Sequence, residues 1–399
     1  MIRMASVEQA LALIAEHGAA RRLGQETVPL AAAHGRVLAE AVTAHVNQPP
    51  ADVSAMDGYA VRHADMTLGA ALRVAGESRA GAPYSGALNP GEAIRIFTGA
   101  HVPPGADHIL IQEDTRREGE TVTVAFEQPR PENIRRKGMD FAHGATLVPA
   151  GHVMTEGAIS LAAAGNNGRV SVRKSPRIGV LANGDELAEA GAPITSSQIV
   201  NSIQPALLAL IRRWGAIALD LGVSRDSEED VRKRLAAPCD VIVSIGGASV
   251  GDYDVVRSAF AAEGFAPIFE KVAVKPGKPT WFSAKDGLLA LGLPGNPAAA
   301  MVTSQLFLLP LIQALTGAPH TAPMQRAFTA TPLPAAGNRA EYLRAVLTID
   351  AEGRAHVRAA ENQDSSLLSP FLTANALIHR PVKAPAAAAG DLVGLVRLL

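Results

Sequence analysis

Between residues 176 and 316 the chain alternates short apolar, β-prone runs with segments of helical periodicity, and this alternation restricts the fold more than any other feature. β-like runs at 177–181, 216–223, 241–245, 269–274 and 288–291 are separated by helical stretches at 202–214, after Ser227 and from near Asp254, and a long helix opens at Pro297. Strands separated by single helices pair in parallel, because the crossover brings the chain back in the same direction along the sheet. The expectation is a parallel-rich sheet with helices on both faces, a three-layer α/β domain over residues 176–320.

A chain of 399 residues exceeds what one hydrophobic core organises, so further domains are expected. Val7, Ala10, Leu11 and Ile14 recur at helical spacing behind Ser6, and Gln9 stands where a capping box needs its return partner. From 46 to 140 the texture changes to short β-like runs at 59–61, 93–97 and 108–111 among glycines and prolines, which suggests a small inserted β domain. That insertion leaves residues 1–45 and 141–175 as a discontinuous helical linker domain. The proline-rich stretch 319–334 reads as a linker or edge segment before a strand-like tail, with runs at 342–349 and 355–357, in a last domain of residues 321–399. No fixed-period repeat is visible.

Composition narrows the class of function. With 48% hydrophobic and 19% charged residues the chain is globular. The most apolar stretch, 297–315, is interrupted by Thr303, Ser304, Gln305, Pro310 and Gln313, and so predicts a buried helix rather than a membrane span. Glu8 and Glu16 lie in the amphipathic N-terminal pattern, which resembles no signal peptide, and the cytoplasm is the expected compartment. A net charge of −1 gives no general attraction to nucleic acid or to an anionic membrane. The single cysteine, Cys239, excludes an internal disulfide and a cysteine-based zinc site, and its apolar neighbourhood predicts burial.

Ligands of open α/β sheets bind beyond the carboxyl ends of the strands, so the loops there carry the candidate chemistry. The first is Ala182-Asn183-Gly184-Asp185-Glu186-Leu187, with two adjacent carboxylates. The second holds Arg225 and Asp226 ahead of the Ser227 helix. The third, Gly246-Gly247-Ala248-Ser249-Val250-Gly251-Asp252-Tyr253-Asp254, lets a backbone approach a ligand closely and ends in a residue able to cap a helix. It lacks the Gly-Lys-Ser/Thr of a Walker loop, and taken alone it reads first as a tight strand–helix turn. The fourth concentrates Lys271, Lys275 and Lys278 around Pro276-Gly277, with Lys271 and Lys275 on one strand face. Such lysines suit phosphate or oxyanion capture, although a solvated edge strand has the same composition. Leu293-Pro294-Gly295-Asn296-Pro297 stops a strand and starts a helix. Outside the sheet domain, Ser54-Ala55-Met56-Asp57-Gly58-Tyr59-Ala60 and Arg95-Ile96-Phe97-Thr98-Gly99 are polar turns of the same density.

Taken in this order, these motifs closely resemble the MoeA family, whose eukaryotic relatives include the gephyrin E domain, and they span almost the whole chain. The resemblance implies an elongated homodimer with four domains per chain: a helical segment, the inserted β domain, a molybdopterin-binding α/β domain and a C-terminal β-barrel. It places the site between the α/β domain of one subunit and the inserted domain of the other. The implied reaction transfers molybdate onto adenylylated molybdopterin with Mg²⁺-dependent release of AMP. Carried over by position, the implied residues are Asp57, Thr98, Arg136, Asp140, Glu186, Asp226, Gly246, Gly247, Ser249, Asp254, Lys271, Lys275, Lys278, Pro294, Asn296, Arg344 and Ser365.

Charge divides their labour. Lys271, Lys275, Lys278 and Arg344 suit an anion, with Ser365 as hydrogen-bond donor. Asp254, Glu186 and Asp226 suit Mg²⁺, or hydrogen bonds from the pterin. Ala51, Val53, Ala248 and Ile203 depart from the family pattern without removing a charged site residue. A molybdopterin adenylyltransferase and apo-molybdoenzymes are the expected further partners. A non-catalytic carrier of molybdopterin or finished cofactor, a scaffold, and a tungstate-preferring paralogue remain alternative readings.

Overall fold

The computed structural model describes residues 1–126, 131–246, 255–319 and 324–398. They form two compact units, one of Met1–Glu26, Gly35–Val37 and Val172–Leu399, the other of Thr27–His34 and Leu38–Ser171.

The larger unit opens with α1 (Val7–Ala20), started by the expected capping box: Gln9 N donates to Ser6 Oγ at 3.1 Å and Ser6 N donates to Gln9 Oε1 at 2.9 Å. The sheet domain then runs β1 (Arg177–Asn183), α2 (Ile203–Arg213), β2 (Ile217–Ser224), α3 (Glu228–Leu235), β3 (Val241–Ile245), α4 (Val255–Ala262), β4 (Ala266–Phe269), β5 (Val274–Lys275), β6 (Trp281–Lys285) and β7 (Leu288–Leu293). Its six strands stand in the order β2-β1-β3-β7-β6-β4. The first four are mutually parallel, as the alternation predicts, whereas β6 runs antiparallel to β7 and β4, antiparallel to β6, returns to the direction of the first four. Residues 269–274 do not form the single strand expected of them. They divide into the end of β4 and the two-residue β5, because the N-terminal segment pairs across the gap, with bridges Ile2↔Phe269 and Ala5↔Val272.

The insertion pattern groups residues 1–45 with 141–175, but packing places α1 in the larger unit. Ala5, Val7, Ala10 and Ile14 join the core formed by Ile178, Val180, Phe269 and Leu311. A Cβ on Gly18 would lie 2.6 Å from Ala314 Cβ, so the two helices touch closely there. The long helix comprises α5 (Pro297–Thr303), a π-helical turn (Ser304–Leu308) and α6 (Leu309–Thr316). Pro310 has no N–H to offer one turn back, which is consistent with the wider turn just before it. This helix is long and apolar enough to cross a membrane, yet 83% of its most apolar stretch is buried inside the fold. Cys239 is half-buried beside Gly179, and burial pushes its thiol pKa up.

Gly292, in β7, faces Trp281 across the β6–β7 ladder, and an added Cβ would stand 1.9 Å from Trp281 Nε1. The indole cannot swing away, because its ring meets Phe260 edge-on at 5.1 Å. Gly292→Ala is therefore expected to destabilise the larger unit by about 3 kcal/mol through overpacking, measured by equilibrium urea unfolding.

The C-terminal strands β8 (Gln325–Thr329), β9 (Ala340–Ile349), β10 (Ala355–Ala359), β11 (Ala376–Arg380) and β12 (Leu392–Arg397) close a five-stranded barrel in the ring order β9-β10-β8-β12-β11 and back to β9. The stretch 319–334, expected as a linker, supplies β8, where buried Ala327 and Thr329 alternate with exposed neighbours. Ala340, Tyr342 and Leu377 at the rim of the barrel join the α/β core, and β5 pairs in parallel with β9.

The second unit contains the expected small β domain. Its six-stranded sheet has the order His108–Ile111, Gly58–Val61, Glu92–Ile96, Ala71–Ser78, Thr121–Val124, Thr115–Glu118. Gly58 must be glycine, since a Cβ would fall 2.1 Å from the carbonyl oxygen of Leu110. A helix at Glu156–Ala164, capped by Thr155 Oγ1, belongs to the same unit.

Candidate functional site

The carboxyl ends of β1, β3 and β7, the Lys275–Pro279 turn and barrel residues 363–368 enclose a cavity of about 1370 Å³ within the larger unit. Its walls are built from interlocked loops. Asn183, at the end of β1, donates through Nδ2 to Asp226 Oδ1 at 2.6 Å and accepts from Ser224 Oγ at 2.8 Å. Asp226 N donates in turn to Asp185 Oδ1 at 3.2 Å, so the loops after β1 and β2 hold one another. Gly184 takes φ +152°, a conformation that L side chains rarely adopt, so the turn favours glycine, and the Glu186 side chain folds back over it. Gly246 ends β3 at φ +87°, and a Cβ there would lie 2.7 Å from the Asn183 carbonyl oxygen. Gly247, Ser249 and Asp254, also expected in the site, lie outside the described residues.

Asn296 precedes α5 as its N-cap, but its side chain does not cap the helix. It donates through Nδ2 to Ser365 Oγ at 2.9 Å, while Ala298 N donates to the Ser365 carbonyl at 2.9 Å. The barrel loop is thereby clipped to the helix start, next to Pro294 on the cavity wall. Opposite in charge to Glu186 and Asp226 are Lys275, Lys278 and Arg339, all lining the same cavity. Lys275 Nζ sits 3.1 Å from Glu341 Oε1, a carboxylate only 11% exposed, which offsets part of its charge.

Two expected anion holders fall elsewhere. Lys271 is absent from the cavity wall, and its carbonyl accepts from Ala5 N at 2.9 Å. The shared strand face expected for Lys271 and Lys275 fails because residues 270–273 do not continue a strand. Arg344 is 1% exposed and lies behind the wall, donating to the carbonyls of Leu367 at 2.6 Å, Asp364 at 2.9 Å and Asn362 at 3.3 Å. Arg339 carries no motif of its own. It takes its place because β5 pairs with β9, Val274 opposite Ala340, and its guanidinium donates to the Val274 carbonyl at 3.3 Å.

In the second unit the structure brings Asp57 and Thr98 together: Asp57 Oδ1 accepts from Thr98 N at 2.7 Å and from Thr98 Oγ1 at 2.9 Å. These bonds, the backbone N–H first, hold the Asp57 carboxyl below the usual carboxylate range. Arg136 is engaged by Asp52 at 2.6 Å, and Asp140 lines a smaller hollow of about 600 Å³ with Arg135 and His101.

Glu186 and Asp226 give an all-oxygen donor set on neighbouring strand ends. No group of three acidic, histidine or cysteine ligands occurs among the described residues. That set fits Mg²⁺, which commonly uses one or two carboxylates and completes its shell with water and substrate phosphate.

An α/β domain with a cavity at its strand ends, lined also by a loop from a β-barrel, together with a second unit that holds a small β domain, defines the class of architecture. Three family models match in order: the MoeA N-terminal region (domain I and II) over residues 5–165, the probable molybdopterin binding domain over 179–314, and the MoeA C-terminal region (domain IV) over 326–398. The molybdopterin molybdenumtransferase of Haemophilus influenzae is 34% identical over 92% of both chains. That of Nostoc is 39% identical over 73% of this chain and 70% of its own. The solved molybdopterin biosynthesis MoeA protein of Pyrococcus horikosii superposes with a TM-score of 0.82 at 26% identity over 99% of each chain. The chain belongs to the MoeA family of molybdopterin molybdenumtransferases, enzymes of molybdenum cofactor biosynthesis.

Proposed function

We propose that this enzyme inserts molybdenum from molybdate into adenylylated molybdopterin, with Mg²⁺-dependent release of AMP, in the cytoplasm. It acts as a homodimer in which Asp57 and Thr98 of a second copy complete the cavity, taking substrate from a molybdopterin adenylyltransferase and passing cofactor to apo-molybdoenzymes. The observation that supports this reading is one cavity holding cations and carboxylates at the ends of a parallel sheet.

Lys278 and Arg339 bind the dianion and phosphate oxygens through charge-assisted hydrogen bonds. Asn296 donates to Ser365 Oγ, so the hydroxyl proton of Ser365 points away and is free to donate to an oxyanion. Glu186 and Asp226 hold Mg²⁺, with Asn183 orienting the Asp226 carboxylate. An Mg²⁺ ion held there would supply charge neutralisation at the phosphates and polarise the phosphoanhydride. Water attacks the phosphoanhydride phosphorus, the bridging P–O bond breaks and AMP leaves, while the two dithiolene sulfurs bind molybdate and one of its oxo groups departs as water with the two thiol protons, with no covalent protein nucleophile.

The test is AMP release together with reactivation of an apo-molybdoenzyme when the purified protein meets adenylylated molybdopterin, Mg²⁺ and molybdate. Both signals should require molybdate. Tight pterin binding without AMP release would make the protein a carrier, and faster turnover with tungstate would reassign its metal. Lys278→Ala and Arg339→Ala should each raise the KM for molybdate about tenfold to a hundredfold, the value of a charge-assisted bond. Glu341→Gln should lower it, because Lys275 loses the carboxylate that competes for its charge.

A further inference from the structure

Gln363 lines the cavity, yet its amide has nothing left to give a ligand. Its Oε1 accepts from Arg344 N at 3.0 Å and from Arg344 Nε at 3.4 Å. Its Nε2 donates to the Arg344 carbonyl at 2.9 Å and to the Ala360 carbonyl at 3.0 Å. A primary amide has two donors and two lone pairs, and all four are spent inside the barrel. The remaining Arg344 donors reach forward to the carbonyls of Asn362, Asp364 and Leu367, on both sides of Ser365. Asp364 closes the turn by accepting through Oδ1 from Ser366 N at 2.8 Å and Ser366 Oγ at 2.6 Å.

We infer that Gln363 is a positioning residue: with Arg344 it fixes the barrel loop at 362–367 so that Ser365 meets Asn296 and presents its hydroxyl to the oxyanion. This rests on the proposed role of Ser365. Arg344 and Gln363 form a frame anchored on β9, and Ser365 is held from the far side by Asn296 and Ala298 N. Loss of the amide frees one side of the loop while the barrel ladder stays intact. The hydroxyl then samples positions that no longer converge with Lys278 and Arg339.

The experiment is a double-mutant cycle of Gln363→Met, close in length but unable to make these bonds, and Ser365→Ala, read as KM for molybdate and kcat for AMP release. Hydrogen exchange of residues 362–368 is followed alongside. Gln363→Met should raise the KM about tenfold with kcat within twofold, speed exchange at 362–368 and at Arg344, whose N–H it frees, but not elsewhere in β9–β11, and add nothing to the effect of Ser365→Ala. Additive effects, an unchanged KM for Gln363→Met, or equal losses in KM and kcat with general loss of protection would overturn the inference. An unchanged KM for Ser365→Ala alone sinks the proposed role of Ser365 and the positioning role with it. A raised KM for Ser365→Ala beside an unchanged Gln363→Met sinks only the latter.

Discussion

Arg344→Met should cost the larger unit about 3 kcal/mol of stability and increase hydrogen exchange through the barrel, without first acting as a loss of anion affinity. The guanidinium is 1% exposed and donates to three backbone carbonyls and to Gln363. Its removal strands acceptors whose desolvation costs roughly 1–3 kcal/mol each where they stay buried. Asn362 and Asp364 are exposed residues whose carbonyls can recover water, which limits the total. Arg344→Lys should recover little, because an ammonium lacks the planar fork that reaches carbonyls on both sides of Ser365. Urea unfolding of the three proteins decides the matter. If Arg344→Met kept wild-type stability and raised only the molybdate KM, Arg344 would be an anion holder after all.

That correction shows where a sequence stops speaking about a site. Periodicity located β1, β3, β7 and the long helix, because burial on one or both faces leaves a pattern within the segment itself. It passed over β6, where Trp281 and Phe282 are followed by Ser-Ala-Lys, and β8, hidden among prolines. Both strands exist through pairing with remote neighbours. The same limit applies to the cations. Lys271, Lys275, Lys278 and Arg344 have equal standing as positive charges in the sequence, but only long-range pairing separates those on the wall from those behind it. Ala5 takes the backbone beside Lys271, and the 362–367 loop wraps Arg344. Arg339 reaches the wall by the reverse route, through the Val274↔Ala340 register that no local pattern announces. Asn183, Gly184 and Glu186 were legible because strand end, turn glycine and carboxylate are contiguous in the chain.

The carboxylates present the sharpest conflict in the cavity, and the conflict yields a test. Glu186 and Asp226 line the same cavity as Lys278 and Arg339, and in the proposed reaction, without a metal, they would be like charges facing the dianion. Such repulsion at a partly solvated site is worth on the order of 1–2 kcal/mol per charge. In EDTA, therefore, Glu186→Gln should bind molybdate about tenfold more tightly than the wild-type protein. In Mg²⁺ the order should reverse for the reaction: AMP release by Glu186→Gln should fall on the order of a hundredfold or more, because a ligand to the cation is gone while the side-chain shape is kept. Asp226→Asn should follow the same pattern. It carries an added cost from Asn183, whose Nδ2 loses a charged acceptor 2.6 Å away. Molybdate binding by calorimetry with and without Mg²⁺, set beside AMP release, reads both arms. A Glu186→Gln protein that bound molybdate no better in EDTA and released AMP at the wild-type rate in Mg²⁺ would remove Glu186 from the metal site and leave it a wall residue.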